Sequence, residues 1–278
     1  MSNANSIKQS TVSVIIPTWN RAEMLVRSVK SVLAQTHQNL EVVIIDDGST
    51  DDTEEQVARL KDERISYHCL SKNSGAAKAR NIGVEKAQNS IIAFHDSDDV
   101  WVPDKLEKQL TYWYDHPEYV MVYCAISYYD EKKAERVSFP FADIDRNQLS
   151  GNMYEFLLHR NTIDTPTILL KKETFLNAGG FDTLYPPLED WEFNLRISQI
   201  GQIGYVDEPL VNSTITAGSL SSSVSAYYNS RCLILKKHLQ EIISRGLFDE
   251  IAGDILGHAE HDGVLEPVKK MMMLHLAN

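Results

Sequence analysis

Leu40-Glu41-Val42-Val43-Ile44-Ile45-Asp46-Asp47-Gly48-Ser49-Thr50-Asp51 opens as an apolar, β-branched run and breaks at once into turn and helix-cap residues. A run of this kind suits a strand covered on both faces, and Asp, Gly and Ser turn the chain out of it. The pattern recurs on either side. Residues 12–17 form another β-branched run, and a helix to about Ala34 places Leu25, Val29, Val32 and Leu33 along one face. Asn20 stands where that helix needs a cap, with Glu23 three residues on in capping-box spacing. Downstream come a polar helix over about 53–61, a strand near 65–69, a helix over 75–87 and a buried strand over 90–95. Four strands alternating with three helices predict an α/β domain with a largely parallel sheet. Ligands bind such sheets beyond the carboxyl ends of the strands. Three of those ends are chemically loaded: Pro17-Thr18-Trp19-Asn20, Asp46-Asp47, and Asp96-Ser97-Asp98-Asp99.

The 278 residues include 27 Lys and Arg against 39 Asp and Glu, a net charge of −12 that argues against broad electrostatic binding to nucleic acid or an anionic membrane. With 43% hydrophobic residues and modest Gly and Pro, the chain can bury a sizeable core; it is not disordered, collagen-like or a disulfide framework. The length fits one large domain or two small ones. Cys69, Cys124 and Cys232 are odd in number and lack metal-ligand spacing, so buried free thiols in a reducing compartment are expected. The first eleven residues are polar, and no run approaches the ~20 apolar residues of a membrane span. A soluble, cytoplasmic protein is expected.

Beyond Trp101 the regularity loosens. A helix over 105–115, a strand over 120–129, a polar insertion over 130–147 and a short strand over 167–170 are expected. A helix stopped by Gly179-Gly180, a helix over 189–200 and a strand over 205–211 follow. After a Ser-rich connector at 219–225 the tail is helical in pattern, with Leu233, Ile234, Leu239, Ile242 and Ile243 as an apolar face.

Several groups carry chemistry, each beside a plainer reading. Asp96-x-Asp98 beyond a buried strand offers hard oxygen ligands suited to Mg²⁺ or Mn²⁺; it also reads as a solvated acidic turn. Asp46-Asp47 can cap the following helix or accept from an imide or a ribose hydroxyl. The stretch 73–81, with Gly75, Lys78 and Arg80, can open a helix toward a diphosphate or present a solvated basic face. Glu189-Asp190 provides either first-turn partners of a helix dipole or a general base. His258-x-x-His261 reads as a solvated helix face and Met271-Met272-Met273 as packing. Neither GxGxxG nor GxxxxGK[ST] occurs, which argues against dinucleotide and P-loop phosphate binding.

Taken in order, VSVIIPTWNRAEMLVRSVKSVLAQT, LEVVIIDDGSTDDT, NSGAAKARNIG, IIAFHDSDDVW and FDTLYPPLEDWEFNLRISQIG resemble a family 2 inverting glycosyltransferase with the GT-A fold. The resemblance covers residues 12–222. It implies a Rossmann-like, mixed but mostly parallel sheet flanked by helices, with a nucleotide-binding half over about 12–101 and an acceptor half over 102–222. Residues 223–278 would be a C-terminal helical tail. It also implies a nucleotide-sugar donor, most often a UDP-sugar, a divalent metal, and a carbohydrate or lipid-linked acceptor. Pro17 and Trp19 would wall the base pocket, and Asp47 would hydrogen-bond the base. Asn73 and Arg80 would approach the nucleotide. Asp96 would hold the ribose, Asp98 the metal bridging the diphosphate, and Asp190 would be the general base. That division, one carboxylate as base and one for metal, differs from the paired carboxylates of a glycosidase.

One departure stands out. Relatives often carry a metal-binding His where this chain has Thr216, so a third protein ligand is in doubt. The insertion and the tail lie outside the motifs, where shaping of the acceptor site or an oligomer contact is expected; peripheral association with the inner membrane face is compatible with the absence of an apolar span. Two alternatives compete. Asp96-x-Asp98-x-Val100 fits the nucleophile motif of haloacid-dehalogenase-type phosphatases, yet that motif normally ends the first strand of its domain. A non-catalytic nucleotide-sugar-binding protein is the second, although such a scaffold need not keep Asp47, Asp96, Asp98 and Asp190 together.

Overall fold

Val12, Val14, Ile15 and Ile16 are all wholly buried, as a strand covered on both faces requires. They belong to β1 (Val12–Thr18), which pairs in parallel with β2 (Leu40–Asp46) on one side and β4 (Ile91–Phe94) on the other; β3 (Ile65–Cys69) forms the edge beyond β2. The computed structural model describes residues 3–130, 135–138, 144–215 and 223–277. The remaining strands are β5 (Val100–Trp101), β6 (Tyr119–Asp130), β7 (Glu135–Ser138), β8 (Leu169–Lys171) and β9 (Gln202–Ile215). The sheet order is β3-β2-β1-β4-β8-β6-β9-β5, with β7 paired to β6. Strands β8, β5 and β7 run against the others, so the sheet is mixed and mostly parallel in direction.

Helices α1 (Asn3–Gln9), α2 (Ala22–Leu33), α3 (Thr53–Ala58), α4 (Ala76–Lys86) and α5 (Lys105–Asp115) accompany the first half. The second half adds α6 (Tyr154–His159), α7 (Lys172–Asn177) and α8 (Glu189–Ile200), with 3-10 turns at Arg146–Leu149 and Thr165–Thr167. The C-terminal helices are α9 (Val224–Lys237), α10 (Leu239–Ser244), α11 (Phe248–His261) and α12 (Leu265–Leu276). Ile234, Ile242, Ile255 and Met272 from the C-terminal helices share one apolar core with Phe94 of β4 and Phe193 of α8. Ile243, expected on the apolar face, is instead 58% exposed.

Two glycines fix the geometry beside the site. Gly48 adopts φ 81° in the turn out of β2, a left-handed conformation that favours glycine. Gly83 lets α4 lie directly on β1, because a β-carbon there would overlap Ile15 Cγ2. The thiols depart from expectation in one case: Cys124 and Cys232 are buried, but Cys69 ends an edge strand and is exposed. Among the described residues no helix is long and apolar enough to cross a membrane. Part of the 130–147 insertion, Thr216 and most of the Ser-rich connector lie outside the described residues.

Candidate active site

The ends of β1 and β2 lock each other. Asn20, at φ 52°, does not cap α2; its Oδ1 accepts from the Thr50 N–H at 2.7 Å, and its own N–H donates to Ser49 Oγ at 2.8 Å. The first helical N–H of α2, on Ala22, is met from across the gap by Asp51 Oδ2 at 3.2 Å. Asp51 also accepts from the Thr53 hydroxyl at 2.5 Å at the start of α3. The expected local capping box is thus replaced by a tertiary one. Asp46 and Asp47 are both buried. Asp46 accepts from the Tyr67 hydroxyl and from the Ser49 N–H. The carboxylate of Asp47 accepts from the Ser74 N–H at 2.8 and 2.9 Å and from the Gly75 N–H at 2.7 Å. The start of α4, read from sequence as a seat for a diphosphate, therefore holds Asp47, which a helix N-terminus favours for the same electrostatic reason. Trp19 is half exposed beyond β1, whereas Pro17 is buried within the strand; Asn73 is exposed at the loop before α4.

Beyond β4 the chain turns through Asp96-Ser97-Asp98-Asp99. Helix α2 holds this turn from below: Ser28 Oγ donates to the Asp96 carbonyl at 3.0 Å, and Arg27 donates to the Asp98 carbonyl at 2.8 Å. Arg21 Nη1 reaches Asp98 Oδ2 at 2.6 Å. Burial pushes the Asp98 carboxyl above the usual range, and Asp96 adds to this against the pull of Arg21. Asp99 is pushed well up by burial and by Asp96, against a hydrogen bond from Ser213.

The facing wall is made by α8 and the loop before β8. Asp190 Oδ1 accepts from the Trp191 N–H at 2.6 Å, and Oδ2 accepts from Asn161 at 3.4 Å. Asp164 accepts from the Tyr128 hydroxyl at 2.8 Å. Burial, then Glu189 and Asp164, push the Asp190 carboxyl well above the carboxylate range, while the Trp191 N–H and Arg80 oppose the shift. Burial and Asp96 raise Asp164 as well. One guanidinium joins the walls. Arg80, 7% exposed on α4, donates to Asp96 Oδ1 at 2.7 Å and to Glu189 Oε1 at 3.1 Å.

Among the described residues no three or more His, Cys, Asp or Glu side chains are gathered as a metal site. The donor chemistry nevertheless fits a hard divalent cation. Asp96, Asp98 and Asp99 share one turn with Arg21 and Arg80 as their cations, and carboxylate oxygens are the donors such a cation takes.

Residues 13–171 match the family model described as glycosyl transferase family 2. The chain belongs to glycosyl transferase family 2. An uncharacterised glycosyltransferase of Rickettsia conorii is 35% identical over 214 residues, 77% of this chain and 34% of that protein. The chain thus spans about a third of the length of that relative. The Escherichia coli protein WfaP, named a UDP-Glc:alpha-D-GlcNAc-diphosphoundecaprenol beta-1,3-glucosyltransferase, is 44% identical over 101 residues, 36% of this chain and 39% of that one. In structure, S. aureus TarS 1–349 in complex with UDP-GlcNAc superposes with a TM-score of 0.65 at 16% identity, covering 96% of this chain and 89% of that one. That likeness concerns the fold, which is GT-A. In this family 2 chain the acidic turn ends the fourth strand, β4, with three strands before it. A haloacid-dehalogenase nucleophile would sit after the first.

The structure brings Arg80, Asp96, Asp98 and Asp190 into one cluster of interacting side chains. It commits Asp47 to the loop before α4. Sequence reading named Asp99 within the acidic turn without a role, and missed Arg21, Asn161, Asp164 and Tyr128. Arg21 and Asp99 adjoin motif residues and were within reach of it. Asn161, Asp164 and Tyr128 had no local signal, being isolated polar residues in a loop and a long strand.

Proposed function

We propose that this family 2 chain transfers a sugar from a nucleotide-diphosphate sugar, foremost a UDP-sugar, to an acceptor hydroxyl with inversion, in polysaccharide or glycoconjugate synthesis. The observation that carries the reading is the Arg80 bridge, which ties Asp96 on the donor wall to Glu189 beside Asp190 on the opposite wall. Trp19, with Pro17 behind it, walls the base. Asp47 accepts from the base with the lone-pair capacity its two backbone donors leave free, and Asn73 lies at the entrance. Asp96 takes the ribose. Asp98 would hold a divalent cation, Mn²⁺ or Mg²⁺, which would supply Lewis-acid neutralisation of the leaving diphosphate.

Asp190 then takes the proton of the acceptor hydroxyl as its oxygen bonds to the anomeric carbon from the face opposite the diphosphate. The bond from that carbon to the phosphate oxygen breaks, and its electron pair leaves with the nucleoside diphosphate. A carboxylate whose proton affinity is raised by burial and by Glu189 is a stronger base than one in water. The name of WfaP supports a lipid-linked acceptor, which a peripheral protein at the inner membrane face could reach.

The test is a thermal-stability panel of UDP-, GDP- and dTDP-sugars, each with Mn²⁺ or Mg²⁺. A ligand that binds the folded state raises the midpoint by mass action. A UDP-sugar with metal is expected to give the largest rise. A larger rise with a GDP-sugar would reassign the base pocket, and no rise with any nucleotide sugar would overturn the reading.

A further inference from the structure

Two adjacent residues of α9 grip the segment that carries Glu189 and Asp190. Ser230, fully buried, donates its hydroxyl to the Pro186 carbonyl at 2.9 Å. Arg231, 4% exposed, lays its guanidinium 3.9 Å over the Trp191 ring centroid and donates to the Leu158 carbonyl at 3.4 Å. Trp191 is pinned at its other pole, where Nε1 donates to the Leu157 carbonyl at 2.6 Å. Its backbone N–H is the group that donates to Asp190 Oδ1 at 2.6 Å. At the end of α9, Lys237 Nζ reaches the fully buried Glu192 at 2.6 Å, one turn further along α8.

Among the described residues no carboxylate pairs with Arg231, and burial pushes its guanidinium below the ordinary arginine range. A buried charge without a counter-ion is costly, and an apolar residue of similar volume would fill the place without that cost. What the guanidinium adds is a directional hold on the indole face. The contacts run unbroken from Arg231 to the ring of Trp191, to its N–H, to the Asp190 carboxylate.

We propose that α9 is a positioning element for the active site: Arg231 through Trp191, and Ser230 through Pro186, fix the direction of the Asp190 carboxylate from both sides of the Glu189-Asp190 pair. This gives the first helix of the C-terminal extension a task in the reaction, and it rests on the reading of Asp190 as the base. The charged and polar groups around Asp190 are Glu189 on its own helix, Arg80 from α4, Asn161 and Asp164 from the loop before β8, and the Tyr128 hydroxyl from β6.

The experiment titrates the full chain with ¹³C-labelled Asp carboxyl carbons, the Asp190 resonance being assigned by its loss in Asp190→Asn. In Arg231→Met the Asp190 midpoint is expected to rise by about half a pH unit or more, because an N–H bond that favours the charged form is loosened. Arg231→Lys, which keeps a cation over the ring, should return it toward the parent value. Turnover of the donor selected by the stability panel should fall about tenfold or more in Arg231→Met with nucleotide affinity unchanged. An unmoved Asp190 midpoint in folded Arg231→Met overturns the proposal. Should that variant not fold, Ser230→Ala, which loses one hydroxyl, decides on the same titration: an upward shift supports the positioning role and an unmoved midpoint overturns it. Parent-rate turnover by Asp190→Asn would remove the base assignment alone, since the titration reads the positioning separately.

Discussion

Arg80 is the residue on which the two walls of the cleft depend. Its guanidinium is planar, and its fork serves Asp96 and Glu189 at once, which the point charge of a lysine cannot do. Arg80→Met would leave both carboxylates without their buried partner, and a loss of about 3 kcal/mol in unfolding free energy is expected by urea denaturation. The carboxylates themselves separate into roles. Asp98→Ala is expected to abolish metal-dependent nucleotide binding measured by calorimetry. Asp190→Asn should leave that binding nearly intact and lower transfer by about 10²–10⁴-fold, the range of a general base. Equal loss of binding in both variants would dissolve the division of labour.

At the scale of elements, the site is built where loops from different strands cap one another. Asp51, in the loop after β2, accepts from the first N–H of α2 and from both the N–H and the hydroxyl of Thr53 at the head of α3. One side chain therefore serves two helices, and α2 in turn holds the Asp96–Asp99 turn through Arg21, Arg27 and Ser28. Asp51→Ala is expected to cost about 1–2 kcal/mol, at the upper end for a single cap, and to weaken metal-dependent nucleotide binding at a distance. Thermal unfolding and calorimetry on one preparation would check both. Stability loss without any change in binding would show that α2 does not pass the disturbance to the turn.

For the whole molecule, opposite burial effects set the pH dependence. His238, 5% exposed against Tyr154, is pushed down to about 4 from 6.5, chiefly by burial. Between those values the unfolded chain binds the proton that the folded chain refuses. Stability contributed by His238 is therefore present above about pH 6.5 and lost as pH falls toward 4, by roughly 3.5 kcal/mol at ~1.4 kcal/mol per unit. Lys105, buried over Trp101 and pushed down to about 8, acts in the same sense between 8 and 10.5. His238→Gln should flatten the acid limb of stability against pH. The acids of the cleft act the other way. Their raised proton affinities mean that stability present below the ordinary carboxylate range is lost as pH rises through the raised values. Mn²⁺ or Mg²⁺ is therefore expected to raise the unfolding midpoint more at the upper end of a pH series than at its acid end, because protons and the cation compete for the same carboxylates. An equal rise across the series would place the cation elsewhere.

Strand periodicity and turn chemistry were enough to read β1 to β4, α5 and α8 from the sequence, because an unbroken apolar run followed by Asp, Gly and Ser has few other uses in a folded chain. They also single out Asp96-x-Asp98 and Glu189-Asp190, each with a plainer reading beside it, and only the resemblance to the family gives these acids roles. The cap of α2 was misread for the opposite reason: Asn20 has the right residue type and spacing, but its backbone turns left-handed and its side chain is claimed by Thr50 of another loop. Tertiary structure alone decided that Asp47 holds the start of α4, that Arg80 joins residues 96 and 189, and that Asp164, bonded to Tyr128, adjoins Asp190. It also decided that Arg231 stacks on Trp191. These contacts join segments far apart in the chain. Local propensity is blind to them, because what fixes each one is a partner brought close only when the sheet has formed.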